Sequence, residues 1–457
     1  MFFAQRKFVK SRRGGAVQEQ SSRPPVTTRR ITTAVSIGTV IEWYDFFLYG
    51  TAAALIFPKL FFPAGDPATS TLLSFATFAT GFAARPLGGF LFGHLGDRFG
   101  RKTVLISTLV LMAVATVGVG LLPTYSQIGV AAPILLVVLR VLQGLGTGGE
   151  WGGAALMTKE NGSRRPGFFG AFLSSAVFAG LILGSLVYTG LSAVLTDDAL
   201  LSWGWRVPFL ISIVLIGVAL WIRRGLNETT EFAQLTEREG REKAPIVEAL
   251  RRPRNVIAIF LMRVGQNATF NIVSVFVLTY ATTTLGLSRS SVLAATVVGA
   301  AVACVLAPLY GHLGDRFGFR RVMITALIVQ AVFAFPFFLL VDSRSMALVV
   351  IAVTVGIAGG SAASDAIQPA YFTSMFGTRS RMSAVSIGRE GGTAIGGGLA
   401  PLIAAALLGW AGGAPWGIAG WMVFTSLIGL VGVFMARPPA AGSESVVHPD
   451  DTAEVAR

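Results

Sequence analysis

The chain carries ionisable and amide side chains inside long apolar stretches. Glu42, Asp45 and Tyr49 are spaced i, i+3 and i+7, so they share one face of a helix. Arg140 lies in a second apolar stretch. A guanidinium can bind a carboxylate through two parallel hydrogen bonds, and a carboxyl group in a partly dry site can gain or lose a proton. These residue types predict a site for a small anion and a proton.

Further polar residues repeat this pattern along the chain. The same stretch as Arg140 also holds Gln143 and Glu150. Two later stretches each carry a similar set, and these sets comprise Arg263, Gln266, Asn267, Asn271, Asp365 and Gln368. A charge inside a membrane is costly, about 2.5 to 3.5 kcal/mol on insertion scales, so such residues should face a cavity or a partner. Hydrogen bonds between helices could account for the amides alone, but four sets in register favour a binding site.

The composition indicates which elements position these residues. Hydrophobic residues make up 53% of the 457 residues and charged residues only 13%, with a mean hydropathy of +0.67. A soluble protein carries about a quarter charged residues, so the solvent is lipid. Twelve apolar spans are long enough to cross a bilayer, and all must be helices because lipid cannot satisfy an unpaired backbone. They lie near 31–57, 69–92, 103–122, 128–156, 167–195, 203–222, 255–283, 289–311, 321–341, 345–374, 382–408 and 416–436.

A repeated charged segment divides these spans into two halves. Gly93-His-Leu-Gly-Asp-Arg-Phe-Gly-Arg-Lys returns at 311–321 almost unchanged. Each copy follows one apolar span and precedes another, so we expect a charged hairpin in each half. The sequence predicts an all-α membrane protein of two pseudo-symmetric six-helix bundles. The bundles cover 31–222 and 255–436, with a linker at 223–254 and tails at 1–30 and 437–457. The four polar sets then fall on spans 1, 4, 7 and 10, which is typical of a path between repeats.

The distribution of basic residues predicts the orientation. The chain has 37 Lys and Arg, 23 acidic residues and a net charge of +14. With the first tail inside, Lys59, Arg289 and Arg344 are the basic residues assigned to outside loops. Such a bias places both termini in the cytoplasm. It also explains the basic pI without nucleic acid, and Cys304, the single cysteine, excludes an internal disulfide.

Other chemistry has weaker support. The segment 144–149 fits the pattern GxGxxG, but it has no βαβ context, and small residues in a membrane helix allow close packing. No Walker A sequence occurs. His94, His312 and His448 fall in predicted loops or the tail and cannot form a buried metal site together. We expect no cofactor, no metal and no enzymatic activity.

Several motifs resemble one family. The segment at 93–102 and its copy resemble the loop signature of the major facilitator superfamily. Glu42-Trp-Tyr-Asp-Phe-Phe-Leu-Tyr-Gly, the run from Arg140 to Gly153, and Asn227-Glu-Thr-Thr-Glu-Phe resemble its metabolite:proton symporter family. Members include transporters for shikimate, α-ketoglutarate, citrate and proline/betaine. The Trp-Tyr-Asp-Phe form, with Phe276-Val-Leu-Thr-Tyr and Leu285-Gly-Leu-Ser, is most similar to the shikimate branch.

The resemblance implies proton-coupled uptake of a small organic acid by alternating access. The partners would be the acid, protons and the lipid of the bacterial inner membrane, and we expect a monomer. Arg140 and Arg263 would hold the substrate carboxylate with the polar groups around them. Asp45 or Glu42 would carry the proton, with Glu150 and Asp365 next in line. The cytoplasmic gate would comprise Gly93, Asp97, Arg98, Gly100, Arg101, Asp315 and Arg316.

A shared titration would link the proton to the substrate. Glu42 and Asp45 lie one helical turn apart, so their carboxylates repel and titrate together. An anion on Arg140 would withdraw that arginine from the carboxylates, and one of them should then take up a proton. Asp45 lies deeper in the span, so we assign the proton to it and expect Glu42 to pair with Arg140.

Two alternatives remain open. The first is a proton-coupled carrier of zwitterionic solutes such as proline or betaine, whose osmosensory member has a long C-terminal coiled coil. The tail at 437–457 is short and lacks heptads. The second is a receptor that binds without transport, which should have a larger soluble domain than 223–254. The sequence also departs from the family at two places. In span ten, Ala366-Ile-Gln follows Asp365 where the family usually has a Gly-Pro-Gln-like run, and Ser374 takes the position of the usual acid. After span four, Arg165-Pro-Gly replaces the common Arg-Gly.

Overall fold

The computed structural model describes residues 28–63, 66–99, 101–148, 165–224, 253–376 and 381–437. In these ranges the chain forms twelve long helices. The first six are α1 (Thr28–Leu55), α2 (Pro67–Phe99), α3 (Arg101–Leu121), α4 (Ala131–Thr147), α5 (Pro166–Val194) and α6 (Val207–Arg224). The short helices Phe57–Leu60, Tyr125–Ile128, Asp197–Ser202 and Gly204–Arg206 lie between them.

The second six helices contain wider π-helical turns. They are α7 (Pro253–Thr284), α8 (Arg289–Phe317), α9 (Phe319–Asp342), α10 (Met346–Ser374), α11 (Arg381–Thr393, Ala394–Gly398 and Ala400–Trp410) and α12 (Trp416–Met435). The π-helical segments of the described residues are Ile272–Phe276, Tyr280–Thr284, Gly356–Ser361 and Ala394–Gly398. Such turns are frequent at functional sites. All four lie in the second half.

Length and composition agree with membrane spans. Seven of these helices, α5 and α7 to α12, are long and apolar enough to cross a bilayer. Shorter apolar stretches, Ser107–Leu121, Ala131–Thr147 and Gly204–Leu215, belong to α3, α4 and the start of α6. Most of the predicted spans lie within a few residues of these helices.

Each half packs by the same scheme. In the first half α1 packs on α5, α2 on α4 and α3 on α6. The corresponding pairs six helices later, α7 with α11, α8 with α10 and α9 with α12, are also in contact. Between the halves α5 packs along α8 and α10, and α2 packs on α11. This arrangement agrees with the predicted pair of pseudo-symmetric bundles.

The two charged segments differ from the predicted hairpin loops. Helix α8 continues through Gly311, His312 and Asp315 to Phe317, and α9 begins at Phe319. The turn is therefore a single residue, Gly318, whose φ of 93° is a conformation that glycine adopts without strain. In the first copy α2 likewise runs to Phe99 and α3 begins at Arg101. His94 and His312 are thus helical, and the assignment of these histidines to loops was wrong.

Parts of the predicted organisation lie outside the described residues. These are most of the tails and linker, at 1–27, 225–252 and 438–457, together with 149–164, which contains Glu150.

Candidate functional site

Asp45 is a buried carboxylate in the first half. It lies in α1 with 1% of its surface exposed. Its Oδ1 accepts a hydrogen bond from the Ser212 hydroxyl of α6 at 2.6 Å, and its Oδ2 accepts one from Thr116 of α3 at 3.2 Å. Both partners donate to the charged form of Asp45, and because a hydroxyl also accepts, the Ser212 hydroxyl could turn to accept a hydrogen bond from protonated Asp45.

A chain of hydrogen bonds connects Asp45 to Arg140. The Arg140 Nη1 group donates to the Gln143 Oε1, and both residues lie on α4. The Gln143 Nε2 group donates to Thr116 Oγ1 at 2.9 Å, and Thr116 donates to Asp45. Every bond in this chain is oriented from the arginine towards the carboxylate. The predicted association of Asp45, Arg140 and Gln143 is therefore present, through Thr116.

Arg140 is enclosed by aromatic rings. Its guanidinium carbon lies 4.1 Å from the centre of the Tyr49 ring, 4.9 Å from Phe46 and 5.3 Å from Phe78. Such contacts stabilise a buried cation. On α2 the position facing the guanidinium is Gly81, where any side chain would collide with Arg140. Tyr49, which was predicted to share the face of Glu42 and Asp45, thus contacts Arg140.

Two donors of Arg140 have no partner. Its Nε and Nη2 groups are buried and make no hydrogen bond with the described residues. A buried donor without an acceptor costs about 1 to 3 kcal/mol, and more when it is charged. The guanidinium thus offers two N–H groups to an acceptor, the pattern that a carboxylate matches.

Glu42 pairs with Arg85, which was not among the predicted site residues. Its Oε1 lies 3.6 Å from the Arg85 Nη2 in α2, so the expected pair with Arg140 was wrong. Arg85 Nε also donates to Glu390 Oε2 of α11 at 2.7 Å, and Arg389 donates to the other Glu390 oxygen at 2.6 Å. The Arg85–Glu390 bond joins the two halves.

The sequence held a signal for this cluster. Arg85 and Arg389-Glu390 are charged residues in apolar spans, but they fall outside the spans 1, 4, 7 and 10 on which the prediction concentrated. Arg85 and Arg140 line the same small cavity together with Glu42 and Gln143. Buried charges therefore extend from one bundle into the other.

Arg263 is held by a direct ion pair. Its Nη1 group lies 2.7 Å from Asp365 Oδ1 of α10, and it also donates to Gln266 at 2.7 Å and Gln368 at 3.0 Å. Its Nε donates to Thr393 of α11 at 2.8 Å. The structure thus brings together the polar sets predicted on spans 7 and 10, but with the arginine already occupied by an acid.

Neutral amides continue the same face of α7. The Asn271 Nδ2 group donates to the Asn267 backbone and side-chain oxygens at 3.0 and 3.2 Å. The Asn267 Nδ2 and the Asn271 Oδ1 are buried without a partner among the described residues. Both amides face Gly397 in the π-helical turn of α11, where an added Cβ would lie against them. This region offers one donor and one acceptor.

The second charged segment connects the halves near the ends of α5 and α8. Asp315 accepts hydrogen bonds from the backbone N–H groups of Gly167 at 2.7 Å and Phe168 at 2.9 Å. These groups begin α5, so a residue of the second half caps a helix of the first. Arg316 lies over the ring of Phe317, 5.3 Å from its centre. The side chains of Gly93, Asp97, Arg98 and Arg101 lie outside the described residues, as does Gly100 altogether.

The opposite ends of the helices also carry contacts between the halves. The Thr279 hydroxyl of α7 donates to the Ala54 carbonyl of α1 at 3.0 Å. Arg289 of α8 lies 3.2 Å from Asp197. The halves therefore touch at both ends, with the buried charges between them.

Gly144, Gly146 and Gly148 are packing residues. An added Cβ on Gly144 would collide with the Gly81 carbonyl, and one on Gly148 with the Arg85 carbonyl. These contacts are where α2 and α4 cross, which confirms close packing and removes any need for a nucleotide fingerprint.

Comparison with known families matches both halves. Residues 31–252 match the sugar (and other) transporter family, and residues 267–455 match the Major Facilitator Superfamily. The Escherichia coli K12 shikimate transporter is 43% identical over 390 residues, which cover 83% of this chain and 88% of that protein. The E. coli K12 inner membrane metabolite transport protein YhjE is 41% identical over 69% of this chain and 74% of its own. The E. coli K12 proline/betaine transporter is 34% identical over 70% of this chain and 66% of its own.

Solved structures share the fold. A D-xylose–proton symporter superposes with a TM-score of 0.69 and 18% identity, covering 92% of this chain and all of that one. A partially occluded inward-open structure of the E. coli xylose transporter gives a TM-score of 0.69 and 17% identity, covering 89% of this chain and 96% of that one. The twelve-helix, two-bundle architecture is therefore confirmed.

Proposed function

This chain belongs to the major facilitator superfamily of membrane transporters, and we propose that it takes up a small organic acid together with protons. One observation carries the proposal. Arg140 is buried, its Nε and Nη2 groups have no acceptor among the described residues, and hydrogen bonds connect it to Asp45. One hydrogen-bonded group thus contains both a binding site for an anion, Arg140, and an acceptor for a proton, Asp45.

The coupling follows from the electrostatics of that group. Arg140 is connected to Asp45 through Gln143 and Thr116, and a nearby cation stabilises a carboxylate, whereas a second acid one helical turn away, Glu42, repels it. A substrate carboxylate on Arg140 neutralises the guanidinium and adds a negative charge nearby. Proton binding to Asp45 then becomes more favourable. On the other face of the membrane, release of the proton returns Arg140 to Asp45 and weakens its hold on the substrate.

Alternating access would use the contacts between the halves. Asp315 joins the bundles on one side of the buried charges, the Thr279 and Arg289 contacts join them on the other, and the Arg85–Glu390 pair joins them in between. The two bundles would rock about the midplane, breaking one set of contacts while keeping the other. We place both termini and the 223–254 linker in the cytoplasm, in a monomer of the inner membrane.

The central test separates coupling from binding. Asp45→Asn should abolish uptake driven by a pH gradient but leave substrate exchange between labelled and unlabelled pools intact, because the amide cannot carry the proton. Uptake of a panel of labelled organic acids and betaines into proteoliposomes, with and without a protonophore, measures both. Ser212→Ala, which removes a single bond to Asp45, is the matched control and should retain coupling.

Three results would contradict the proposal. Accumulation of substrate by Asp45→Asn in a pH gradient would mean that another carboxylate carries the proton, with Glu150 and Asp365 as the next candidates. Uptake of betaine in preference to every acid would favour the zwitterion carrier, and saturable binding without any uptake would favour a receptor.

Orientation has a separate test. A cysteine at Gly240, in a Cys304→Ala background, should react with a membrane-impermeant maleimide only in inside-out vesicles, because its loop is cytoplasmic. A cysteine at Ser343, between α9 and α10, should react only in right-side-out vesicles. Labelling of position 240 from outside intact cells would show that the predicted orientation is wrong.

A further inference from the structure

The buried charges of the described residues balance. The buried ionisable side chains of the described residues, each counted in its charged form, are four arginines and four acids, which are Arg85, Arg140, Arg263, Arg389, Glu42, Asp45, Asp365 and Glu390. A net charge buried in a membrane protein is strongly unfavourable. Binding of one carboxylate makes this set negative by one charge, and one proton restores neutrality. Binding of two carboxylates would require two protons or an arginine without its own acid.

The two substrate arginines are not equally available. Among the described residues, Arg140 has no acceptor for Nε and Nη2, whereas Arg263 lacks one only for Nη2, because its Nη1 and Nε contact four partners, among them the carboxylate of Asp365. Asp365 forms a direct ion pair with Arg263, while Glu390 of α11 is paired with Arg389 and Arg85. The carboxylate of Asp365 thus occupies the position on Arg263 at which a second substrate carboxylate would bind.

Neutral groups remain beside this occupied arginine. Asn267 and Asn271 lie one and two turns along α7 from Arg263, with 1% and 2% of their surface exposed. The free Nδ2 of Asn267 and the free Oδ1 of Asn271 suit a hydroxyl group, which both accepts and donates.

We propose that Asp365 is a built-in anion that restricts the carrier to substrates with a single carboxylate. The carboxylate binds Arg140, hydroxyl groups of the substrate bind Asn267 and Asn271, and each monoanion is carried with one proton. Transport is then electroneutral. This inference rests on the proposed function, since it assumes uptake of an organic acid at Arg140.

The experiment compares two labelled acids in proteoliposomes of phosphatidylethanolamine and phosphatidylglycerol. Shikimate has one carboxylate and three hydroxyl groups, and malate has two carboxylates and one hydroxyl group. The unaltered protein should take up shikimate and exclude malate. Asp365→Asn frees Arg263 and should raise malate uptake relative to shikimate by about tenfold, as expected for a new charge-assisted pair. Asp342→Asn, an acid in α9 away from Arg263, is the matched control and should change neither.

A second readout follows the charge moved per cycle. A potassium diffusion potential set with valinomycin should leave shikimate uptake by the unaltered protein unchanged. In Asp365→Asn the buried set is positive by one charge when empty, so a monoanion restores neutrality without a proton. A potential that is negative inside should then slow shikimate uptake, and its dependence on the pH gradient should fall. The double variant Arg263→Gln/Asp365→Asn keeps the balance and should exclude malate and stay insensitive to the potential.

The outcomes separate the two proposals. Uptake of neither acid by the unaltered protein would count against the organic-acid function itself. Uptake of shikimate and malate at similar rates would overturn the single-carboxylate rule alone, as would a folded Asp365→Asn protein that transports shikimate but gains no malate. If Asp365→Asn does not fold, malate uptake or potential sensitivity in the double variant overturns the inference.

Discussion

Arg140 and Arg263 are two similar arginines with opposite surroundings. Each is followed three residues later by a glutamine that accepts its Nη1 hydrogen bond. Arg140 reaches its acid, Asp45, only through Gln143 and Thr116, and otherwise faces aromatic rings. Arg263 contacts Asp365 directly. The same local motif thus provides an available anion site in one half and an occupied one in the other, and the difference lies in where the acid stands.

The largest expected effect is on substrate binding at Arg140. Arg140→Gln removes the free donors and should weaken binding about 100-fold, or about 3 kcal/mol, since the lost interaction is charge-assisted and buried. Equilibrium binding of labelled substrate to purified protein measures this. Arg206→Gln, an arginine near the start of α6, is the control and should bind normally. Equal affinity in Arg140→Gln would place the carboxylate elsewhere, with Arg263 as the remaining choice.

The next effect is on stability and should appear in the other half. Arg263→Gln leaves Asp365 buried without its cation and should cost about 3 to 5 kcal/mol. Thermal unfolding in detergent should show a clear drop in melting temperature, most of which returns in Arg263→Gln/Asp365→Asn.

Arg140→Gln provides the contrast in the same assay. It should change the melting temperature little, because no acid contacts Arg140 directly. If Arg140→Gln were as destabilising as Arg263→Gln, the two arginines would play the same structural role and the comparison would fail.

The smallest effect concerns the contact between the halves at Asp315. Asp315→Asn retains one acceptor oxygen and loses the charge at the start of α5, at a cost of about 1 kcal/mol. Transport should slow severalfold while substrate affinity and membrane insertion stay normal. Asp66→Asn, which removes a similar charge from the start of α2 without joining the halves, is the control and should not slow transport. Unchanged transport in Asp315→Asn would make this segment a topological marker without a role in the conformational change.

The sequence located the polar residues well because each is conspicuous in an apolar span. Asp45, Arg140 and Gln143 are connected as predicted, and so are Arg263, Gln266, Asp365 and Gln368. The predicted Glu42–Arg140 pair failed because helical spacing gives the face of a residue but not its neighbour. Glu42 lies against Arg85 on α2, and that contact depends on how α1 and α2 cross. Arg85 and Glu390 were missed because they lie outside spans 1, 4, 7 and 10, and their bond joins residues 305 positions apart in different halves.

The sequence by itself determined the solvent, the helix count and the duplication, because apolar length and repeated segments are properties of the chain alone. It also determined which charges must be buried, since a charged residue in the middle of a membrane span has nowhere else to go. Only the tertiary structure decided how those charges pair. Pairing depends on which helices touch and at what height. That geometry gave Arg263 an acid and left Arg140 with two free donors.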